Sequence, residues 1–336
     1  MIKEKLIANL KILKKYQETK KPQNWFFRVR AYNTAISKIK TLDHFTSVSQ
    51  IKGVKGIGKK IQLKAKEFLD TGVIAEAEKN KKELEKLEDN PQIKTIKLFS
   101  SVKGIGEKIA KNLWELGMRS LEDLQENKDK SYIFPGSKNP RKLLTSAQKL
   151  GLKYYEHFNK RIPRKSITIL STAIKALIFT KFGYDNIDAK VVGSYRRKNK
   201  DSGDIDIIFT SSTVSLDEIV ELLENWGLIH DTLAHKKGSK PNDHAVYHGV
   251  TSCRGSKVFY QLDITSIPRK NWGAAVLHST GSAAFNVKLR QKALSLNYKL
   301  NEKGLFSKHT GKKIPVYTEE GIFEALGERW VDPKDR

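Results

Sequence analysis

Apolar residues recur at helical spacing through the front of the chain and alternate with polar ones through much of the back. Between residues 3 and 16, Leu6, Ile7, Leu10, Ile12 and Leu13 form a recognisable helical face. Residues 74–89, IAEAEKNKKELEKLED, are dense in Glu and Lys and are followed by Asn90-Pro91. That composition predicts a solvated helix with a chain break behind it. Past residue 190 the period drops to two: AKVVGSY, GDIDIIF and KVFYQLDITSI are rich in β-branched and aromatic residues and read as strands. A helix, LDEIVELLENWG (216–227), lies between the last two. From residue 270 helix and strand mix to the end. The pattern predicts an α-helical front and an α+β back. A further boundary is expected near RIPRK (161–165), where proline interrupts a basic stretch.

Charge narrows the class. The 336 residues suffice for more than one domain and a sizeable core. Lys and Arg number 63 against 37 Asp and Glu, a formal charge of +26. An excess of that size points to a polyanionic partner, commonly nucleic acid. The single cysteine, Cys253, excludes an internal disulfide framework and a cysteine-based zinc site. The N-terminus is lysine-rich and lacks the unbroken apolar core of a signal peptide, and no apolar run approaches the ~20 residues of a membrane helix. An intracellular protein with no membrane partner is expected.

A repeat lies in the front half. VKGIGKKIQLKAKEFLDTG (54–72) is echoed by VKGIGEKIAKNLWELG (102–117). Each copy has Gly-apolar-Gly followed by an amphipathic helix: Gly56 and Gly58 in the first, Gly104 and Gly106 in the second. Glycine allows a tight turn with close backbone approach, and the free amides opening the next helix suit a phosphate. Such helix-hairpin-helix units hold nucleic-acid backbone without reading sequence. An ordinary glycine turn between helices would explain one copy; two copies in a basic chain favour DNA contact.

The densest chemistry is GSYRRKNKDSGDIDIIF (193–209). On a strand, Asp204 and Asp206 project from one face while Ile205 and Ile207 take the other. Paired carboxylates repel unless a cation lies between them, and hard oxygens suit Mg²⁺. A solvated strand edge would also carry D-x-D. Several neighbours favour the site: Gly193 and Ser194 offer an amide and a hydroxyl to phosphate oxygens, Arg197 can fork onto them, and Ser202-Gly203 keeps the chain slim. Asp263, in YQLDITSIP, supplies a third carboxylate from a separate strand. Three such aspartates fit a two-metal site for phosphoryl chemistry.

Taken together, GS…R…SGDID, LDI, STGSAAFNVKLR and the tandem hairpins resemble the family X DNA polymerases over essentially the whole chain. The Gly-Ser/Asp-x-Asp part is common to nucleotidyltransferases, whereas the tandem hairpins and STGS-x-x-FN are specific to the family. The resemblance implies a lyase-like helix-hairpin-helix domain at 1–85, a DNA-binding helical subdomain with the second hairpin at 86–163, a catalytic palm at 164–269 and a nucleotide-selecting α+β subdomain at 270–336. Asp204, Asp206 and Asp263 match the metal-binding carboxylates; Ser194, Arg197, Gly203 and Arg161 match triphosphate contacts, with Gly193 and Ser202 beside them. Gly281 marks the turn beside the incoming nucleotide; Asn286 matches a contact to that nucleotide, Arg290 a contact to the template, and Glu302 a support of the closed form.

In the front domain the family removes a 5′-deoxyribose phosphate. Lys64 aligns with its Schiff-base nucleophile, Lys60 with a phosphate-binding lysine and Tyr32 with an active-site tyrosine. Crowding by Lys59, Lys60 and Lys66 is expected to keep the Lys64 amine partly neutral. Implied cofactors are two Mg²⁺, or Mn²⁺ in their place, and a monovalent cation at the hairpins. Implied partners are gapped or nicked DNA with a 5′-phosphate and deoxynucleoside triphosphates, bound by a monomer. The location is nuclear by resemblance, or cytoplasmic for a viral protein. Departures from the pattern are His278-Ser279 in place of an aromatic pair, Ala283 for an acidic residue, Gln261 for an arginine linked to closure, Arg28 for a lysine and Phe27 for a DNA-stacking histidine. A template-independent or RNA-tailing nucleotidyltransferase and a non-catalytic DNA-binding protein are the alternatives; the tandem hairpins oppose the first and the intact aspartates the second.

Overall fold

The computed structural model describes residues 2–236, 238, 240–253 and 255–336. Two compact units divide the chain, Met1–Lys97 and Leu98–Arg336. The first unit is helical throughout: α1 (Ile2–Lys20), α2 (Trp25–Lys40), α3 (Lys59–Thr71), α4 (Ala75–Asp89) and α5 (Pro91–Ser100), the last running across the boundary. Leu6, Ile7, Leu10 and Leu13 of α1 point into a core shared with Tyr32, Ile36 and Ile39 of α2 and Ile61, Ala65 and Phe68 of α3. Each such aliphatic side chain withdrawn from water contributes about 1.5–3 kcal/mol. Helix α4 keeps its charged faces in water and buries only Ala77, Asn80 and Leu84, as its Glu/Lys-rich sequence predicts.

The second unit opens with α6 (Glu107–Glu115), α7 (Leu121–Asn127), a small antiparallel hairpin of β1 (Ser131–Ile133) and β2 (Pro140–Lys142), α8 (Ser146–Lys153) and α9 (Tyr155–Phe158). The hairpin is a small departure from an otherwise helical segment. Next come β3 (Ile162–Pro163), α10 (Arg164–Phe182), β4 (Ile187–Val191), α11 (Gly193–Arg196), β5 (Asp201–Ser202), β6 (Ile205–Ser211), α12 (Leu216–Asn225), β7 (Ile229–Lys236), β8 (Ala245–Ser252) and β9 (Phe259–Ser266). The chain ends with α13 (Trp272–Thr280), α14 (Ala283–Ser295), β10 (Tyr298–Asn301), β11 (Gly304–Ser307) and α15 (Glu319–Ala325).

A five-stranded sheet ordered β4-β6-β9-β8-β7 organises the second unit, with β6 and β9 parallel and the remaining neighbours antiparallel. Helices α10 and α12 cover one face through Ile167, Leu170, Ile174, Ile178, Ile219 and Leu223, packed against Ile205, Ile207, Phe209, Leu262 and Ile264 of the central strands. Ser215 caps α12, with Glu218 closing the box from the other side, so the helix begins where its capping pair sits. Asp204 and Asp206 stand at the start of β6 and Asp263 within the neighbouring β9. Among the described residues no helix is long and apolar enough to cross a membrane.

Candidate active site

The register between β6 and β9 decides the site. Ile205 lies opposite Leu262 and Asp206 opposite Asp263, so two carboxylates on strands almost 60 residues apart in sequence become neighbours. Asp204 immediately precedes β6 and completes the group: one oxygen from each of Asp204, Asp206 and Asp263 lies within 4.8 Å of the others. Strand alternation sends Ile205 and Ile207 into the core and leaves the aspartates half-buried on the other face. Burial and the neighbouring Asp204 and Asp263 carboxylates push Asp206 up to about 7. Burial, then Asp263, raises Asp204 as well. Three hard oxygen donors that cannot comfortably share their charge without a counterion fit a divalent cation of the Mg²⁺ type.

Asp263 is held from two sides. Gln261, on the same face of β9, donates from Nε2 to both carboxylate oxygens at 2.9 and 3.0 Å. His248 faces Asp263 in the β8–β9 register and brings Nδ1 to 2.8 Å from Oδ1. That contact raises His248 above the ordinary histidine range, against the opposing effect of burial. Neither sequence pattern nor composition singled out His248; its role depends on which strand lies beside β9.

The flank expected to meet phosphate is built around α11. Gly193 opens it at φ +61, and its bare Cα abuts Asp206, where a methyl group would overlap Oδ2. Ser194 donates from Oγ to Ser202 Oγ at 2.7 Å. The short β3–β5 ladder, Ile162 opposite Ser202, carries Arg161 to the same side, where it donates from Nε to Asp201 Oδ1 at 2.9 Å beside Gly203. Arg197 donates from Nη1 to the Thr280 carbonyl at 2.6 Å, next to Gly281. Lys103 and Arg161 pull Asp204 toward ionisation, as Arg197 does Asp206. Lys103, at the tip of the second hairpin, is a cation of the site that sequence reasoning passed over.

Across the turn, the Gly281–Ser282 peptide is cis, and Ser282 caps α14 by accepting from the Phe285 N–H at 3.3 Å. Asn286 donates from Nδ2 to the His278 carbonyl at 2.8 Å, and Arg290 Nη2 lies 3.2 Å from His278 Nδ1. Glu302, in the β10–β11 turn, lies within electrostatic reach of the same histidine. His278, Asn286, Arg290 and Glu302 therefore form one surface cluster, with Ala283 at the start of α14.

The two hairpins share one geometry. Gly56 and Gly104 take φ +93 and +86, and Gly58 and Gly106 open α3 and α6 as extended N-caps. Ile57 and Ile105 between them are buried, each donating its N–H to the valine three residues back at 3.0 Å. In the first unit, Phe27, Arg28, Tyr32, Lys60, Lys64 and Glu76 line a cavity of about 670 Å³. Tyr32 is buried there; burial, and then Glu76, push its phenol up to about 12. Arg28 donates from Nη1 to Gln17 Oε1 at 3.3 Å, and Phe27 is two-thirds exposed. Of the lysines expected to crowd Lys64, Lys59 and Lys60 line the same cavity. Lys60 and Lys64 share a helix face, whereas Lys66 turns away into a separate cleft, and the Lys64 ammonium is ion-paired with Glu76.

Sequence comparison matches four segments of the chain to known domains. Residues 1–74 match a helix-hairpin-helix domain, 97–159 the fingers domain of DNA polymerase lambda, 161–269 the DNA polymerase beta palm and 275–336 the DNA polymerase beta thumb. The chain belongs to the family X DNA polymerases. DNA polymerase lambda of Arabidopsis thaliana is 29% identical over 311 residues, covering 86% of this chain and 54% of that protein. DNA polymerase lambda of Rattus norvegicus is 25% identical over 350 residues, covering 98% and 56%. The DNA polymerase type-X family protein pol4 of Schizosaccharomyces pombe is 28% identical over 330 residues, covering 92% and 60%. The chain thus spans little more than half the length of these relatives. Gln261, one of the departures from the family pattern, holds Asp263 together with His248.

Proposed function

We propose that the protein is a DNA-directed DNA polymerase that fills short gaps during base excision repair. The observation that supports this best is the pairing of Asp206 with Asp263 across parallel strands, with Asp204 beside them and Ser194 and Arg197 on the flank. Two Mg²⁺ ions held by Asp204, Asp206 and Asp263, when bound, supply acidity at the primer hydroxyl and neutralise charge on the departing pyrophosphate. The chain's own residues do the rest. Ser194, the backbone at Gly193 and the Arg161 and Arg197 guanidiniums bind the triphosphate and align it. Gln261 and His248 fix the orientation of Asp263. Gly281 and Asn286 border the nucleotide, Arg290 faces the template, and the Gly104–Gly106 amides hold backbone phosphates. Four domains with the extents expected from sequence divide these tasks, and the substrates are gapped DNA with a 5′-phosphate and deoxynucleoside triphosphates.

A gap-filling assay tests this reading. With Mg²⁺ and a one-nucleotide gap, the wild-type chain extends the primer by one templated deoxynucleotide. Asp263→Ala abolishes extension and keeps DNA affinity within about twofold. Extension by the variant at the wild-type rate, or extension indifferent to the template base, would overturn the proposal.

A second activity is proposed for the first unit, on the strength of the Lys64–Glu76 pair inside the cavity. The Lys64 amine attacks the C1′ aldehyde of a 5′-deoxyribose phosphate and loses water to form a Schiff base; loss of a C2′ proton then breaks the C3′–O bond, the DNA strand leaves with its 5′-phosphate, and hydrolysis of the imine frees Lys64. Lys60 binds the phosphate, and Glu76 takes the proton that Lys64 must give up before it attacks.

A further inference from the structure

The hairpin β1–β2 has no part in either site, yet it is among the most basic surfaces of the second unit. Residues 128–142 contain Lys128, Lys130, Lys138, Arg141 and Lys142 against one acid, Asp129. Asp129 is ion-paired with Lys149, whereas Lys138, Arg141 and Lys142 form no ion pair among the described residues. A two-stranded ribbon with three-residue strands does not hold itself together in water, so its root must anchor it. Leu143 and Leu144 are buried at that root, Phe134 is buried where the loop leaves β1, and Tyr132 donates its hydroxyl to Asn127 Oδ1 at 3.0 Å. Arg141, opposite Tyr132 in the ladder, lays its guanidinium over the Phe134 ring at 3.7 Å. The other face, carrying Ile133 and Lys142, and the tip with Lys138 are exposed. The chain has thus ordered a ribbon and left its charge in water.

Position matters as much as charge. Helix α8 follows β2 directly, and its Gln148 donates from Nε2 to the Gly104 carbonyl in the second hairpin turn at 3.1 Å. Lys142 and Gln148 are six residues apart, a reach of at most ~20 Å. One turn of duplex DNA spans roughly 34 Å, so ribbon and glycine turn fall within a single turn. A β-ribbon also fits the roughly 12 Å major groove.

We propose that residues 131–142 form a second DNA-backbone clamp, which lies on the same duplex as the Gly104–Gly106 turn and holds it through the phosphates. It contributes affinity and register rather than sequence choice. The proposal rests on the polymerase reading, and its test separates the two. Binding of a labelled 24-base-pair duplex is followed by fluorescence anisotropy between 50 and 200 mM KCl. Each phosphate contact adds about 0.9 to the slope of log affinity against log salt. Lys138→Gln/Arg141→Gln/Lys142→Gln lowers that slope by about 2–3, and Lys138→Gln/Lys142→Gln, which keeps the Arg141–Phe134 stack, lowers it by about 2. Lys81→Gln/Lys82→Gln, on the solvated face of α4, leaves the slope unchanged. Primer extension at saturating DNA is unaltered in all three variants. If the wild type binds with a steep salt dependence and both ribbon variants match it, the clamp is wrong and the polymerase reading stands. If the wild type does not bind duplex, both fall.

Discussion

At Lys64 the proposed lyase chemistry turns on one proton. An ammonium cannot attack a carbonyl, and the group in contact with it is a carboxylate from the next helix rather than another lysine. Borohydride trapping on an incised abasic site therefore separates two roles. Lys64→Ala loses nearly all of the covalent adduct, and Glu76→Gln forms it about 10²-fold more slowly at unchanged DNA affinity, the usual scale of general acid–base assistance. Trapping by Glu76→Gln at the wild-type rate would show that water, not the carboxylate, takes the proton. In the second unit the same reasoning applies to Asp206, whose neighbours Asp204 and Asp263 make its charge unfavourable when no cation is bound. Asp206→Asn removes the repulsion, so the metal-free variant melts roughly 2–6 °C above wild type, equivalent to about 1–2 kcal/mol. Saturating Mg²⁺ then raises the wild-type Tm by stabilising the folded state alone and leaves the variant nearly where it was. A variant that melts lower than wild type without metal would mean that Asp206 is a structural, not a cation-holding, residue.

Single elements show what could be read without a structure. The two-residue period of GDIDIIF, the helical face of α1 and the duplicated Gly-apolar-Gly turn are local signals, and each element formed where its pattern indicated. The start of α11 falls inside the strand expected at AKVVGSY: β4 stops at Val191, and four residues of GSYR carry too short a period to register as helix. His248 and Glu76 were missed for a different reason. The first matters because β8 pairs with β9 in one register, the second because the first turn of α4 reaches Lys64 of α3, and neither fact is encoded in the local pattern of either segment. The strand-to-helix turn at Gly193 is the element on which the site depends most directly. Its left-handed φ and its contact with Asp206 both exclude a side chain. Gly193→Ala displaces Asp206 or the α11 amides and reduces kcat for gap filling at least 100-fold, while Tm falls by only a few degrees, because a strained φ costs on the order of 1–3 kcal/mol. A variant with wild-type kcat would show that the turn can shift without cost to the carboxylates.

Within the second unit, the palm sheet and the C-terminal elements are joined by a buried charge relay that no sequence pattern announced. Arg196 grips Glu319 with both guanidinium nitrogens, at 3.0 and 2.6 Å, and also donates to Thr280 Oγ1 at 2.6 Å. Arg336 donates to Glu319 from the other side at 2.8 Å while its guanidinium packs 4.7 Å from the Trp330 ring. Glu319 is only 5% exposed, so it balances two cations out of reach of water. The relay also sits one residue from Arg197, whose own anchor is the Thr280 carbonyl. Removing one partner of a buried pair leaves uncompensated charge and costs about 3–5 kcal/mol. Glu319→Gln accordingly lowers Tm by on the order of 10 °C and raises the KM for the incoming nucleotide more than it lowers kcat, because Arg197 loses its support while the three aspartates keep theirs. The exposed pair Lys292–Glu328, 3.0 Å apart, provides the comparison: Glu328→Gln changes stability by less than about 1 kcal/mol. Thermal melts of the two variants side by side decide the point, and equal Tm values would mean that the relay is a consequence of the fold rather than a joint that holds Arg197, the arginine proposed to bind the nucleotide, in place.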